Sequence, residues 1–276
     1  MENLSLSEQI LYCTVKITCL KNNKSTISTG TGFIYGACQN GDAHYPVLVT
    51  NKHVINDSEQ CSLLFHLRDE NNHVLNSNME YIIEADSRSV WIPHPSPNID
   101  LAILNLSPIF LDISKSGKEI FYTCLDSNMI PTEQDINSFS AIEDILMIGY
   151  PNGILDIKNN LPIVRKGITA TSYYNDFNGS KQFLADISCY PGSSGSPIIV
   201  LQEGISKDKY GNLSIGQSKL KLLGINSSVF LNTITGDLIV EETSSVKPSL
   251  RIPNNLAVII KSDQLLYFDQ IIRNQL

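Results

Sequence analysis

The stretch CYPGSSGSPIIV, residues 189–200, has the composition of a loop that carries a nucleophilic serine. Gly192, Ser194, Gly195 and Pro197 form the frame G-x-S-G-x-P around one hydroxyl. A serine hydroxyl becomes a useful nucleophile only beside a general base, which in turn needs an acid to orient it. A glycine–serine cluster before an apolar run is also an ordinary turn before a strand. The frame therefore indicates a nucleophile only if the chain supplies both partners.

Five histidines are candidates for the general base. His53 follows the β-rich run YPVLVT, which predicts its imidazole at a strand end facing a cleft. His94 lies between two prolines and is a second candidate for a place near the cleft. His44 and His73 lie among polar loop residues, and His66 alternates within a strand pattern, which favours surface or strand-face roles. His53 is the base that this pattern favours.

Asp100 is the candidate acid, because it stands at the start of the apolar run LAILNL. An aspartate in that position is also a common strand cap. His53 precedes Asp100 by 47 residues, and Asp100 precedes Ser194 by 94 residues. Each lies at the edge of a predicted strand, so one fold can bring a base, an acid and a nucleophile together.

Short β-rich runs recur along the chain and predict an all-β fold of barrels or sandwiches. The runs are LYCTVKITCL, GTGFIYG, YPVLVT, CSLLFHL, LAILNL, DILMIGY, PIVRKGITAT, KQFLADISC, SPIIVL, KLLGINSSV, DLIVEE and NLAVIIK. Residues 108–142 interrupt this rhythm with a polar segment, in which Thr132 is placed to begin a short helix. Behind Ser262, a plausible cap, apolar residues fall at helical spacing and predict a terminal helix.

This organisation predicts two β-rich halves with a crossing between them. We expect the following boundaries: an N-terminal half over 1–107, the inter-barrel crossing over 108–142, a C-terminal half over 143–261 and the terminal helix over 262–276.

Composition and charge narrow the classes of partner. With 42% apolar and 17% charged residues the chain is typical of soluble globular proteins, and its net charge of −8 disfavours nucleic acid and anionic membranes as partners. No apolar stretch is long enough to span a membrane and the N-terminus lacks an export pattern, so a cytoplasmic location is expected. The six cysteines form no C-x-x-C pair or histidine cluster, so we expect reduced thiols, no metal site and no cofactor.

Several motifs together resemble one enzyme family: GTGFIY, VTNKHV around His53, NIDLAIL around Asp100, GYPNG, VRKGITA, YPGSSGSPII around Ser194, and GINSSV. The chain resembles the trypsin-like, chymotrypsin-fold serine peptidases, and looks closest to the bacterial HtrA-like and stand-alone cytosolic branches. The order histidine, aspartate, serine belongs to that fold among those that carry this triad. The resemblance implies two six-stranded antiparallel β-barrels, the first carrying His53 and Asp100 and the second Ser194, with a C-terminal helix.

The resemblance also implies a role for each matching residue. His53, Asp100 and Ser194 would be catalytic, the backbone N–H groups of Gly192 and Ser194 would form the oxyanion hole, and the hydroxyl of Ser227 would support the aspartate. The residues that would contact substrate are Ser188, Cys189, Ser227, Ser228 and Val229.

Departures from the family pattern refine these expectations. Ser193 replaces the aspartate by which digestive relatives are activated, so no clipping of the N-terminus is expected. Ser188 is uncharged at the base of the specificity pocket and Val229 replaces a frequent glycine, so small or medium uncharged side chains are expected at the cleaved position.

The sequence thus predicts a serine endopeptidase that acts on protein or peptide substrates through an acyl-enzyme. Two alternatives stay open. One is a protease effector of a bacterial defence or stress pathway, which is gated by a ligand or by a regulatory partner protein. The other is a peptidase-like binding module without catalytic turnover.

Overall fold

The computed structural model describes residues 4–21, 26–41, 43–84, 89–235 and 249–274, and strands make up most of its regular elements, as the sequence predicts. In these ranges the strands are β1 Thr14–Lys21, β2 Thr26–Asn40, β3 Ala43–Thr50, β4 Ser58–Arg68, β5 Val74–Glu84, β6 Trp91–Pro93, β7 Ala102–Asn105, β8 Glu119–Phe121, β9 Leu125–Asp126, β10 Asp144–Gly149, β11 Ile163–Thr169, β12 Gln182–Asp186, β13 Pro197–Gln202, β14 Ile205–Lys207, β15 Leu213–Ile215, β16 Lys219–Thr235 and β17 Ser249–Lys261. The α-helices are α1 Leu6–Gln9, α2 Lys52–Ile55, α3 Ser107–Lys115, α4 Glu133–Ser138 and α5 Leu266–Arg273. The predicted strand DLIVEE lies outside the described residues.

The C-terminal half contains a closed barrel of six antiparallel strands in the order β10-β11-β12-β17-β16-β13. Strands β10 and β13 read as nearly unbroken apolar runs because most of their residues are buried on both faces, whereas β11 alternates between half-buried and exposed residues. Ile145 and Met147 of β10 point into the barrel interior, whereas Leu146 and Ile148 pack against a second apolar cluster outside the barrel. Successive side chains of a strand point to opposite faces, so one run serves two cores.

The N-terminal half is a nine-stranded sheet in the described residues. Its main path is β5-β4-β1-β2-β3-β7-β6, with β8 paired to β4 and β9 paired in parallel to β2. Strands β5 and β6 are the two ends of this path, and no pairing between them closes it within the described ranges. One of the two predicted six-stranded barrels is therefore confirmed, and the other is not.

The segment over 108–142 differs in part from its prediction. Thr132 caps α4 as expected, since its hydroxyl accepts the Asp135 N–H and the Asp135 carboxylate accepts the Thr132 N–H. The same segment also supplies β8 and β9, which extend the N-terminal sheet and which the polar sequence did not reveal.

The predicted terminal helix is present, but Ser262 does not cap it. Ser262–Leu265 forms a 3-10 turn ahead of α5, and the extended residue before that turn is Lys261. A helix cap needs extended backbone, so a serine inside the turn cannot act as one. No helix in the described ranges is both long and apolar enough to cross a membrane.

An apolar cluster shared by both halves holds the two sheets and α5 together. It includes Phe33, Val49 and Leu101 from the N-terminal sheet, Ile148, Ile199 and Ile260 from the barrel, and Leu265, Phe268 and Ile272 from the C-terminal end. Burying one such side chain contributes about 1.5–3 kcal/mol, so the cluster fixes how the halves meet.

Because His66 is buried, we expect the free energy of unfolding to fall at acidic pH. His66 lies on β4 with 4% of its surface exposed, and burial lowers the pKa of its imidazole to about 4. The unfolded chain binds this proton below pH 6.5, so stability is complete above that value and falls as the pH drops towards 4. From pH 7 to 4.5 the free energy of unfolding should lose about 2–3 kcal/mol through this group.

Urea unfolding of the natural protein and of His66→Phe at both pH values measures this effect. The variant should lose less stability on acidification. His73→Phe, at an exposed histidine paired with Asp69, should change the loss by less than about 1 kcal/mol, because exposed ion pairs contribute little. Equal losses in the natural protein and in His66→Phe would contradict the assignment.

Candidate active site

His53 is positioned where β3 ends and α2 begins. The strand stops at Thr50, Asn51 is fully buried, and His53 is the second residue of the short helix. The Asn51 amide donates to the Asp100 carbonyl oxygen at 2.7 Å, and the His53 N–H donates to Asp100 Oδ1 at 3.2 Å. These two bonds join the base and acid segments before their reactive side chains meet.

The side chains of Asp100, His53 and Ser194 form one hydrogen-bonded row. His53 Nδ1 lies 2.6 Å from Asp100 Oδ2, and His53 Nε2 lies 2.9 Å from Ser194 Oγ. A carboxylate only accepts, so the proton is on Nδ1, which leaves Nε2 free to accept from the serine hydroxyl. The row therefore has the polarity needed to remove the Ser194 proton.

Ser227 provides a further contact to the acid. Its hydroxyl donates to Asp100 Oδ2 at 3.2 Å, the oxygen that also accepts from His53. The Ser194 hydroxyl has its own alternative acceptor, the Ser227 carbonyl oxygen at 3.4 Å. Ser227 thus lies beside the row, with its hydroxyl on the carboxylate and its carbonyl oxygen near the Ser194 hydroxyl.

Two glycines allow the nucleophile loop to approach the rest of the protein closely. Gly192 has a φ of +90° and Gly195 a φ of +86°, values that L side chains rarely adopt. A Cβ on Gly192 would lie 2.4 Å from the Tyr150 carbonyl oxygen, and a Cβ on Gly195 would lie 1.9 Å from the Thr31 carbonyl oxygen. Any side chain at either position would push Ser194 out of the row.

The peptide before Gly192 is oriented by Asn152. The Asn152 N–H donates to the Pro191 carbonyl oxygen at 2.5 Å, and Asn152 itself adopts a left-handed φ of +52°. In a trans peptide the N–H points opposite to the C=O, so this bond directs the Gly192 N–H away from Asn152. The Gly192 carbonyl is held in turn by the Thr31 hydroxyl at 2.8 Å.

The peptide before Ser194 is anchored in the same way. Its carbonyl oxygen, on Ser193, accepts from the Asn226 side-chain amide at 2.8 Å and from the Ser196 N–H at 3.1 Å. Among the described residues neither the Gly192 N–H nor the Ser194 N–H has an acceptor. Two such donors beside a serine hydroxyl can stabilise a developing oxyanion.

The predicted substrate-contacting residues have different surroundings. Ser188 and Val229 are half-buried and Ser228 is exposed, whereas Cys189 is buried in the barrel core. The Cys189 thiol lies 3.3 Å from the Asn226 amide nitrogen, and burial raises the pKa of this thiol. Cys189 is therefore less accessible to a substrate than Ser188, Ser228 and Val229 are.

The other histidines lie apart from the row. His94 is buried, its ring packs edge-on against Tyr267 and Phe268, and its carbonyl accepts from the Lys52 ammonium at 3.1 Å. Burial lowers the pKa of this lysine. His94 is therefore a packing residue near the base-bearing helix.

Three residues that orient the loop had no individual signal in the sequence. Thr31 is the middle residue of the GTG run, Asn152 lies in the turn motif YPNG, and Asn226 lies in GINSS. Each of the three residues bonds a residue that lies far away along the chain. The sequence therefore shows the motifs but does not predict which residues they bond. No group of three or more His, Cys, Asp or Glu side chains suited to a metal ion occurs in the described part of the chain.

Comparison with known proteins identifies a family. The family model described as "Trypsin-like peptidase domain" matches residues 30–204, which is more than half of the chain. No curated protein matches the chain.

Three proteases are among the solved structures that are similar to this chain. The HtrA-type protease AlgW with tripeptide has a TM-score of 0.48 and 18% identity over 95% of this chain, which spans only 60% of the AlgW chain. The Rv3671c protease from M. tuberculosis in its active form has a TM-score of 0.44 and 13% identity, covering 93% of this chain and 78% of its own. Deg5 has a TM-score of 0.43 and 17% identity, and the match covers 82% of this chain and 88% of the Deg5 chain. The family assignment rests on the family model.

Replacing Ser227 by alanine should slow the reaction of Ser194 with a fluorophosphonate by about 3- to 10-fold. The variant removes a hydrogen bond to a charged carboxylate, which contributes about 1.5–3 kcal/mol when buried, and Asp100 is 32% exposed. The labelling rate is measured by quenching the reaction at successive times and determining the intact mass of the protein. An unchanged rate in a folded variant would contradict this support for Asp100.

Proposed function

The chain belongs to the trypsin-like peptidase family, and on this premise we propose that it is a serine endopeptidase that works through an acyl-enzyme on Ser194. The observation that carries the proposal is the row Asp100–His53–Ser194, with contacts of 2.6 and 2.9 Å. Its substrates are peptides or proteins, in which Ser194 attacks the carbonyl carbon of the cleaved bond.

The proposed attack begins with a proton transfer. His53 Nε2 accepts the Ser194 proton as Oγ bonds to the substrate carbonyl carbon, and the imidazole becomes positively charged. Asp100 stabilises that charge and keeps the ring in the required tautomer. His53 then gives the proton to the leaving amine, and the acyl-enzyme remains. Water attacks the ester with His53 again as base, which releases the second product and restores Ser194.

The oxyanion formed in each attack would be bound by the N–H groups of Gly192 and Ser194. Both are backbone donors whose carbonyl partners are already anchored, so they need not reorganise during the reaction. Losing one donor of this kind typically raises the barrier by about 3–4 kcal/mol. Within this proposal, residues 1–107 supply the base and acid, residues 143–261 supply the nucleophile, and 108–142 cross between them.

Activity without N-terminal clipping is supported by local bonds of Ser193. This side chain is buried, its hydroxyl accepts from the Tyr190 N–H at 3.4 Å, and its own N–H donates to the Tyr190 carbonyl at 2.9 Å. These bonds close the loop on itself. They replace the ion pair by which a newly formed N-terminus orders the equivalent loop in digestive relatives.

The two alternatives predict different behaviour of the same site. A gated effector would need an additional factor to assemble the oxyanion hole, whereas the Pro191 and Ser193 carbonyls already point away from it. A silent binding module would have no use for a complete proton-transfer row. These features favour a constitutively active peptidase.

Primary specificity is proposed to be for small or medium uncharged side chains. Ser188, Ser228 and Val229 offer no carboxylate to pair with lysine or arginine. The Arg165 guanidinium lies 5.0 Å from the centre of the Tyr190 ring and interacts electrostatically with Cys189. Tyr190 and Cys189 follow Ser188 directly in the chain, so a cation held on them further disfavours basic substrate side chains.

A fluorophosphonate should label the full-length protein at Ser194 without prior proteolysis or an added partner. Ser194→Ala should abolish labelling, His53→Ala should slow it more than 100-fold, and His73→Ala, at an exposed histidine, should leave it unchanged. Peptide mapping by mass spectrometry locates the adduct. Labelling that needs clipping or a partner would instead support the gated reading, and no labelling would support the silent module.

Profiling with a fluorogenic peptide library that varies the residue before the cleaved bond tests the specificity proposal. We expect turnover mainly after alanine, serine, valine or similar side chains, because Ser188 and Ser228 are uncharged and the proposed pocket has valine at position 229 in place of the family's frequent glycine. A profile dominated by lysine or arginine would count against it. Arg165→Ala should raise the small residual cleavage after basic residues.

A further inference from the structure

Asn226 contacts both sides of the nucleophile. It lies on β16 with none of its surface exposed. Its side-chain amide donates to the Ser193 carbonyl at 2.8 Å, its carbonyl accepts from the Gly195 N–H at 2.8 Å, and its N–H donates to the Ser196 carbonyl at 2.9 Å. One residue of the barrel wall therefore bonds the residue before Ser194 and the two after it.

We propose that the Asn226 side chain is a positioning residue that fixes the direction of the Ser194 N–H in the oxyanion hole. This inference rests on the proposed function and deepens it. The two backbone bonds of Asn226 are available to any residue at this position, whereas the bond to the Ser193 carbonyl needs a side chain that donates a proton at that reach.

Peptide geometry transmits the effect. The peptide between Ser193 and Ser194 is trans, so its N–H points opposite to its C=O. Holding the Ser193 oxygen on the barrel side holds the Ser194 N–H on the substrate side. Without the amide, the donor that this oxygen keeps among the described residues is the Ser196 N–H at 3.1 Å. The peptide plane is then free to tilt, and the donor is no longer fixed in advance of the reaction.

The Ser193 carbonyl decides which way the amide faces, because it can only accept, while the Cys189 thiol contacts both ends of the amide. The Asn226 nitrogen lies 3.3 Å from the Cys189 sulfur, and the thiol donates weakly to the Asn226 oxygen at 3.7 Å. Turning the amide over would place its oxygen against the Ser193 oxygen, with two acceptors facing each other. The amide therefore presents nitrogen to Ser193.

The test compares Asn226→Ala with Leu223→Ala in steady-state hydrolysis of a peptide substrate. Leu223 is an equally buried apolar residue on the same strand, so its variant reports lost packing alone. We expect Asn226→Ala to lower kcat about 10- to 100-fold with KM changed less than 3-fold, because only the transition state carries the oxyanion charge. Leu223→Ala should lower the melting temperature and keep the natural kcat.

Two further measurements separate positioning from stability. A peptide aldehyde places a tetrahedral oxygen in the hole, so its affinity for Asn226→Ala should fall in parallel with kcat. Asn226→Asp cannot donate when ionised but can donate when protonated, so its kcat relative to the natural protein should rise as the pH is lowered. If Asn226→Ala does not fold, the pH dependence of kcat in Asn226→Asp tests the role of Asn226 in its place.

The outcomes distinguish this inference from the proposed function. Absence of hydrolysis by the natural protein would overturn both. Hydrolysis by the natural protein together with an unchanged kcat in a folded Asn226 variant, or a loss wholly in KM, would overturn the role of Asn226 and leave the peptidase intact.

Discussion

The reactive geometry depends on a contact between the nucleophile loop and strand β2 that leaves no room for side chains. The Thr31 N–H donates to the Ser194 carbonyl at 2.9 Å, and the Thr31 hydroxyl donates to the Gly192 carbonyl at 2.8 Å. The Thr31 carbonyl accepts from the Thr50 hydroxyl at 2.8 Å and lies where a Cβ of Gly195 would be. A loop of the C-terminal barrel is thus bonded directly to the N-terminal sheet. In a trans peptide the N–H points opposite to the C=O, so each carbonyl held in this contact also fixes the direction of the N–H in the same peptide.

Neither half of the molecule contains a complete site. His53 and Asp100 come from segments joined to the N-terminal sheet, and Ser194 comes from a barrel loop. The hydrogen bonds of the row require the two halves to be held in place to a fraction of an ångström. The apolar cluster that spans both halves and α5 fixes that placement, and so it supports the row indirectly. The C-terminal helix belongs to this arrangement because Phe268 and Ile272 fill the same cluster.

Short-range signals made much of this architecture predictable. Apolar runs located the barrel strands, the Thr132 box located α4, and the residue types in the motifs around positions 53, 100 and 194 identified the candidate row. The strand Val74–Glu84 could not be predicted, because it is a mostly exposed edge strand with a polar sequence. The roles of Asn152 and Asn226 could not be predicted either, because each depends on a carbonyl brought near by the fold. The closed second barrel inferred from resemblance is not confirmed, since closure is decided by pairing between distant strands.

In the proposed reaction, Ser194 forms a covalent acyl intermediate with the substrate carbonyl carbon. Acid quenching during turnover of a peptide ester, followed by intact-mass measurement and peptide mapping, tests it most directly. We expect a fraction of the protein to be heavier by the acyl group, with the whole adduct on Ser194. Steady turnover of the ester by natural protein with the acyl group on another residue, or turnover that persists unchanged in Ser194→Ala, would contradict it.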